Sequence, residues 1–278
     1  MLLTARSWAR KLDTTQSGSN MTNRMAGRIA LITGGGGGIG GAAAELFCAH
    51  GGKVLITDRD GAALSRMAEA IRQRVPGAVV STCIADVTNP ADATRATAQA
   101  VTEFGALNVL VNNAAIRYLS SIAQADTEKW DELLKVNLLG AVNLCKAALP
   151  ELRKHAGASV VNVASAYGVV GRKNFGAYDA SKAALISFTR TLAFEEAEHG
   201  VRVNAVCPGG TLTPFTIGRG EARGRSENEL RAESKADTLL KRWAEEKEVA
   251  YPVLWLASTE ASFITGISLM VDGGTSIM

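Results

Sequence analysis

The stretch Arg28-Ile29-Ala30-Leu31-Ile32-Thr33-Gly34-Gly35-Gly36-Gly37-Gly38-Ile39-Gly40-Gly41-Ala42-Ala43-Ala44-Glu45-Leu46-Phe47 decides the fold. A short apolar run suits a buried strand, the glycines form a turn, and the alanine-rich end favours helix. Strand, glycine turn and helix in that order are the context a dinucleotide fingerprint requires. The helix start offers unpaired N–H groups and a partial positive charge to a pyrophosphate. Glycine lets the backbone approach that ligand without a side chain in the way. A flexible, ligand-free glycine turn is the plainer alternative, and the flanking strand and helix weigh against it.

A second strand over 53–57 ends at Asp58, eighteen residues beyond Gly40. A carboxylate there can accept hydrogen bonds from both adenosine ribose hydroxyls, and it repels a 2′-phosphate. That favours NAD. Arg59 stands next to it and could face a phosphate, which leaves NADP open as the less favoured cofactor. Asp58 would also serve as a turn residue or helix cap.

Outward from this unit, apolar runs alternate with helical patterns. Strands are expected over 78–85, 107–111, 159–163, 201–206 and 267–271. Helices are expected over 62–75, 90–104, 127–155, 178–199 and 246–257. The pattern predicts an α/β fold: one doubly wound Rossmann domain, its seven-stranded parallel sheet covered by helices on both faces. Residues 1–24 read as a polar, Ser/Thr-rich extension, mobile or loosely docked, and 25–278 as the domain. The extension carries Arg6, Arg10, Lys11 and Arg24 against Asp13 and lacks the apolar core of a secretory signal. A transit peptide, or a start upstream of Met21 or Met25, would fit it as well. The one long irregular region, 208–244, is the candidate substrate cover, with a solvated surface insertion as the alternative.

The chain has 278 residues, 47% hydrophobic and 21% charged, with a formal charge of +3. One large domain fits that length. The weak charge and the lack of a Lys/Arg run give nucleic-acid binding no support. No apolar stretch is expected to approach the ~20 residues of a membrane span. Cys48, Cys83, Cys145 and Cys207 are scattered and read as buried apolar residues in a reducing, cytoplasmic setting. His50, His155 and His199 each fall near an expected helix end, and no metal-ligand spacing occurs.

Tyr178 and Lys182 stand four apart at the head of an expected helix, which puts them on one face. A phenol titrates near pH ~10, and a nearby ammonium favours its phenolate. The same spacing often marks only a solvated helix face.

Taken together, residues 26–274 resemble the short-chain dehydrogenase/reductase family. The motifs that carry the resemblance are Thr33-Gly34-x-x-x-Gly38-Ile39-Gly40, Asp86-Val87, Asn112-Asn113-Ala114-Ala115, Lys135-Val136-Asn137, Asn162-Val163-Ala164-Ser165, the Tyr178/Lys182 pair, Pro208-Gly209-Gly210-Thr211-Leu212-Thr213, and Val271-Asp272-Gly273-Gly274. The resemblance implies catalytic roles for Asn137, Ser165, Tyr178 and Lys182. Tyr178 would be the acid/base and Lys182 would depress its pKa and bind the nicotinamide ribose. Ser165 would steady the substrate oxygen, and Asn137 would hold a water linking Lys182 to solvent. It implies cofactor contacts from Gly34, Gly38, Ile39, Gly40, Asp58, Asp86, Val87, Asn113, Ala114, Tyr178, Lys182, Pro208, Gly209, Thr211 and Thr213. It also implies a homotetramer or homodimer, and no metal. Ala115, Ala164 and Glu246 depart from the family's usual residues.

For the substrate, the stretches 192–195, 208–211 and 240–243 resemble dehydrogenases of cyclic cis-dihydrodiols, some of them carboxylated. Arg117 and Arg172 border the expected site and could pair with a carboxylate, or be surface charge. The resemblance also spans 3-oxoacyl-thioester reductases and polyol or sugar dehydrogenases. A non-catalytic NAD(H)-binding regulator is the alternative of a different class.

Overall fold

Each expected apolar run forms a strand, and the strands assemble in parallel. The structure, a computed structural model, describes residues 23–233 and 236–278. Its strands are β1 (Ile29–Thr33), β2 (Lys53–Asp58), β3 (Val79–Ile84), β4 (Val109–Asn112), β5 (Ser159–Val163), β6 (Arg202–Pro208), β7 (Thr211–Leu212), β8 (Ala244–Glu245) and β9 (Ser268–Val271). Its α-helices are α1 (Gly38–Ala49), α2 (Gly61–Arg74), α3 (Pro90–Phe104), α4 (Thr127–Leu134), α5 (Gly140–Leu152), α6 (Gly176–Glu196), α7 (Pro214–Glu221), α8 (Glu227–Ala232) and α9 (Glu246–Ala257).

Seven strands form one parallel sheet in the order β3-β2-β1-β4-β5-β6-β9, the Rossmann-like arrangement expected from sequence. Alternation along the strands feeds two cores. Ala30, Ile32, Val54, Ile56, Val109 and Val111 pack with α1 and α9 residues such as Phe47, Val253 and Leu254. Leu31, Leu55, Leu110, Val160 and Val203 face the other way, onto Ala96, Ala100, Leu144 and Ala148 of α3 and α5. Strand order reverses at β1, between β2 and β4. A crevice opens at such a switch point, beyond the carboxyl ends of the strands.

Two expectations change. The helix expected over 127–155 is a composite: a π turn, Lys135–Leu139, joins α4 to α5, and α5 stops at Leu152. By length and composition Thr127–Leu152 would pass as a membrane span, contrary to the sequence reading. Its apolarity is accounted for by packing, since Leu133, Ala141, Leu144, Cys145, Ala148 and Leu152 are buried within the domain. The region 208–244 is not irregular. It holds α7 and α8, and β7 pairs in parallel with β8.

Residues 1–22 of the expected extension lie outside the described residues. At its end Arg24 binds Glu260 through Nε and Nη2, at 2.7 and 2.6 Å. Met25 is wholly buried.

Candidate active site

β1 and β2 end level, with Thr33 opposite Thr57, so the glycine turn and Asp58 emerge side by side. The Gly35 N–H donates to Thr57 O (2.9 Å) and the Gly36 N–H to Asp58 Oδ2 (3.3 Å). Asp58 Oδ1 accepts from the Asp60 N–H (3.1 Å). Side chains are excluded here by contact: a Cβ on Gly36 would lie 2.9 Å from Ala63 Cβ and 3.1 Å from Asp58 Oδ2. Helix α1 starts behind Gly37 with no side-chain cap, so its first N–H groups are left for an outside acceptor. Gly40 does another job. A Cβ there would stand against Gly34 O and 2.5 Å from Asn113 Nδ2, so this glycine lets α1 pack on the turn.

Across the switch point, Thr33 and Asn113 join β1 to β4. Thr33 Oγ1 accepts the N–H groups of Asn113 and Ala114, both at 3.0 Å. The Asn113 amide donates to Thr33 O (2.9 Å) and Gly34 O (3.1 Å). The neighbouring Asn112 starts a buried polar chain, donating to Asn162 Oδ1 (2.9 Å), while Asn162 donates to Thr189 Oγ1 (2.9 Å).

The third wall comes from β5, β6 and α6. Tyr178 lies in the first turn of α6 and is 6% exposed; Lys182, one turn on, is 2% exposed. Lys182 Nζ donates to Val163 O (2.8 Å) and sits 5.7 Å from the Tyr178 ring centre. Burial pushes the Tyr178 phenol up, but the charges of Lys182, Arg117 and Arg172, with a hydrogen bond from Arg117, outweigh it and hold the phenol below its ordinary range. Burial likewise lowers Lys182, against the pull of Tyr178. Ser165 follows β5, donates to Pro208 O (3.3 Å) and accepts the Tyr167 N–H (3.2 Å).

Asn137 lies in the π turn, 2% exposed, and its side chain uses both N–H groups and one oxygen lone pair. It accepts the Ile116 N–H (2.8 Å) and donates to Ile116 O and Ser181 Oγ, both at 3.0 Å. Ser181 Oγ in turn donates to Tyr178 O (2.7 Å). The amide therefore braces the Tyr178 turn and does not touch Lys182.

These walls enclose one groove of about 1570 Å³. Gly34, Gly38, Ile39, Asp58, Asn113, Ala114, Ser165, Tyr178, Lys182, Pro208, Gly209, Thr211, Thr213, Arg117 and Arg172 all line it. Gly40, Asp86, Val87 and Asn137 are not among its lining residues. Asp86 is exposed and closes its own turn, accepting from Thr88 N and Oγ1 at 2.8 Å each. Val87 packs at Gly140, and its carbonyl accepts from Asn143 Nδ2 (3.0 Å). Arg59 is exposed and also off the wall.

The two arginines differ. Arg172 is sandwiched, its Cζ 3.6 Å from the Tyr167 ring centre and 3.5 Å from that of Phe175. Its Nε and Nη2 reach Asp179 Oδ1 at 3.2 and 3.0 Å. Arg117 lies between the rings of Tyr178 (5.2 Å) and Phe215 (5.1 Å).

Several lining residues were not among the expected site residues: Tyr167, Phe175, Phe215, Trp243 and Glu246. Part of the reason is that α7 and α8 went unseen, although Thr213-Pro214 and Ser226-x-x-Glu229 are helix-start signals. Thr213 Oγ1 does cap α7 through the Thr216 N–H (3.3 Å), and Ser226 and Glu229 form a capping box.

Comparison with known proteins gives a consistent set. A family described as enoyl-(acyl carrier protein) reductase matches residues 34–276. The chain is similar to 2-(S)-hydroxypropyl-CoM dehydrogenase 3 of Xanthobacter autotrophicus, 37% identical over 91% of this chain and 98% of the relative. It is similar to trans-4-hydroxycyclohexanecarboxylate dehydrogenase of Sinomonas cyclohexanicum, 37% identical over 92% of this chain and 95% of the relative. In structure it is similar to a Burkholderia xenovorans protein described as a short-chain dehydrogenase/reductase, with a TM-score of 0.86 and 33% identity, covering 92% of this chain and 99% of that one.

Proposed function

Because the chain belongs to the short-chain dehydrogenase/reductase family, whose members use nicotinamide cofactors, we propose that it transfers a hydride between NAD and a secondary alcohol or ketone. One observation carries this reading: a buried phenol, held below its ordinary range by Lys182 and Arg117, faces the same groove as the uncapped start of α1. The residues present fit a dinucleotide. The cradle at Gly36 would be filled by a Cβ, and the α1 start lacks a capping side chain. Gly34, Gly38, Ile39, Asp58, Asn113, Ala114, Pro208, Gly209, Thr211 and Thr213 would hold it. Asp58 supports NAD over NADP, because its carboxylate lines the groove while Arg59 does not.

When bound, the nicotinamide accepts a hydride in oxidation and supplies one in reduction. Tyr178 Oη takes the hydroxyl proton of an alcohol, or returns one to the oxygen of a ketone. Lys182 favours the phenolate and keeps N–H donors for a ribose hydroxyl beyond the one given to Val163 O. Ser165 donates to the substrate oxygen and steadies the charge that develops there. Asn137 holds the Tyr178 turn through Ser181. For a water on the path from Lys182 it has left its second carbonyl lone pair. Helices α7 and α8 form the substrate cover.

A homo-oligomer belongs to the same proposal, supported by Phe194 on α6, which is 89% exposed, and checked by light scattering on the eluting protein. So does a cytoplasmic setting, supported by four buried free thiols.

The direct test is a purified-protein screen of NAD reduction with cyclic dihydrodiols, ring alcohols, polyols, hydroxysteroids and 3-hydroxyacyl thioesters. Tyr178→Phe should abolish turnover and keep NADH binding. Turnover surviving in that variant would overturn the assignment, and a function surviving without turnover would favour a regulator.

A further inference from the structure

We propose that Arg117 is the anion-binding residue of the substrate pocket, and that the substrate is an alcohol or ketone with an apolar body bearing a carboxylate. This rests on the dehydrogenase reading, because it takes Tyr178 as the marker of the reacting carbon. Both arginines at the groove were candidates from sequence, and their surroundings separate them. Arg172 already has its anion in Asp179, at 3.0 Å, and rings on either side of its guanidinium. Arg117 has no carboxylate partner among the described residues. Its polar contact is with Tyr178 itself.

Three acids at the groove and its walls already have partners. Asp179 is held by Arg172, Glu233 accepts from Arg225 (3.4 Å) and Trp243 Nε1 (3.1 Å), and Asp237 accepts from Tyr167 (3.0 Å). Around the Tyr178 ring stand the cations Lys182, Arg117 and Arg172; Asp179 feels the charge of Arg117 but gives its ion pair to Arg172. A partly buried guanidinium without an anion has lost hydration and has not regained it in ion pairing. A ligand carboxylate supplies what is missing.

The geometry suits that ligand. Aromatic rings at 5.2 and 5.1 Å flank the guanidinium, and it has N–H groups beyond the one given to Tyr178 with which to bind a carboxylate. One of those rings is Tyr178 and the other belongs to α7, so an anion here is bound between the reacting centre and the cover. Phe215, Val170 and Phe175 line the adjoining wall and suit an apolar body.

The test is calorimetric titration of the NADH-saturated protein with cyclohexanecarboxylate and with cyclohexanecarboxamide, which share a ring and differ in charge. The carboxylate should bind about 10- to 100-fold more tightly. Arg117→Met should bring the two affinities together, as should Arg117→Gln if the first variant unfolds on a thermal scan. Arg172→Met should keep the preference. Equal affinities in the parent protein, or a preference that survives at Arg117→Met and vanishes at Arg172→Met, would overturn the assignment. Failure of the dehydrogenase reading would be seen elsewhere, as absent turnover across the alcohol screen, while the titration still reports on Arg117.

Discussion

Gly40 and Gly37 stand three residues apart in one glycine turn, and the structure predicts opposite outcomes for a methyl group at each. At Gly40 the added Cβ would stand against Gly34 O and 2.5 Å from Asn113 Nδ2. One of these is backbone, and the other is an amide held by two hydrogen bonds, to Thr33 O and Gly34 O. Overpacking of this kind costs about 1–3 kcal/mol. Losing the two amide bonds adds about 1 kcal/mol each. Alanine returns roughly 1 kcal/mol through helix propensity. The net loss for Gly40→Ala is then about 2–4 kcal/mol, or a fall of about 5–15 °C in Tm. At Gly37 the Cβ would meet only Pro214 Cγ, at 3.7 Å, and the backbone is extended, with φ 170°, so alanine fits. Gly37→Ala should keep stability within about 0.5 kcal/mol. It should weaken NADH about tenfold or more, because the methyl occupies the approach to the α1 start. Thermal unfolding followed by circular dichroism and NADH fluorescence titration measure the two effects. A Gly40→Ala protein as stable as its parent, or a Gly37→Ala protein that binds NADH unchanged, would refute the division of labour between them.

Further outcomes follow from the same geometry. Lys182→Met removes the main cation that offsets burial at Tyr178, so the phenol stays protonated to higher pH; the acidic limb of the alcohol-oxidation profile should move to higher pH, and an unmoved limb would exclude Lys182 as its cause. Asp58→Ser should raise the NADP-to-NAD ratio of kcat/KM about tenfold or more, since the carboxylate repels a 2′-phosphate, and an unchanged ratio would remove Asp58 from cofactor choice. Arg202, 7% exposed, is pushed down to about 10 by burial and by Arg28, and it donates to Leu256 O (2.8 Å) and Ser258 O (3.0 Å) at the end of α9. Arg202→Met leaves those carbonyls without donors and should cost about 2–4 kcal/mol in urea denaturation; a neutral result would mean that shedding the buried charge offsets the loss.

The sheet was legible because buried parallel strands are written as contiguous apolar runs, such as Val109–Asn112 and Ser159–Val163. The groove was legible at the glycines and at Tyr178/Lys182, whose spacings are local. Features that depend on which distant groups meet were not. Lys135-Val136-Asn137-Leu138-Leu139 has ordinary helical composition, and its π turn reflects what Asn137 binds across the chain at Ile116 and Ser181. Arg117 and Arg172 look equivalent in sequence, and only the position of Asp179 distinguishes them. Asn112 and Asn162 pair because their strands place them in register, which no single strand reveals. The region 208–244 reads in sequence as irregular, yet at Gly220 a Cβ would collide with Leu230, 2.5 Å away, so that glycine lets α7 and α8 touch.

The π turn also fixes how many residues this part of the chain can have. Its wider loop holds one residue more than a regular turn, which rotates α4 about 100° relative to α5. That phase lets Leu133 and Trp130 of α4 pack around Tyr178 while Leu144 and Ala148 of α5 stay on the sheet. Deleting any one residue from Lys135–Leu139 would straighten the helix and swing the Trp130 side away from the phenol. Homologues that share this chemistry should therefore keep Asn137 and the residue count between Trp130 and Leu144.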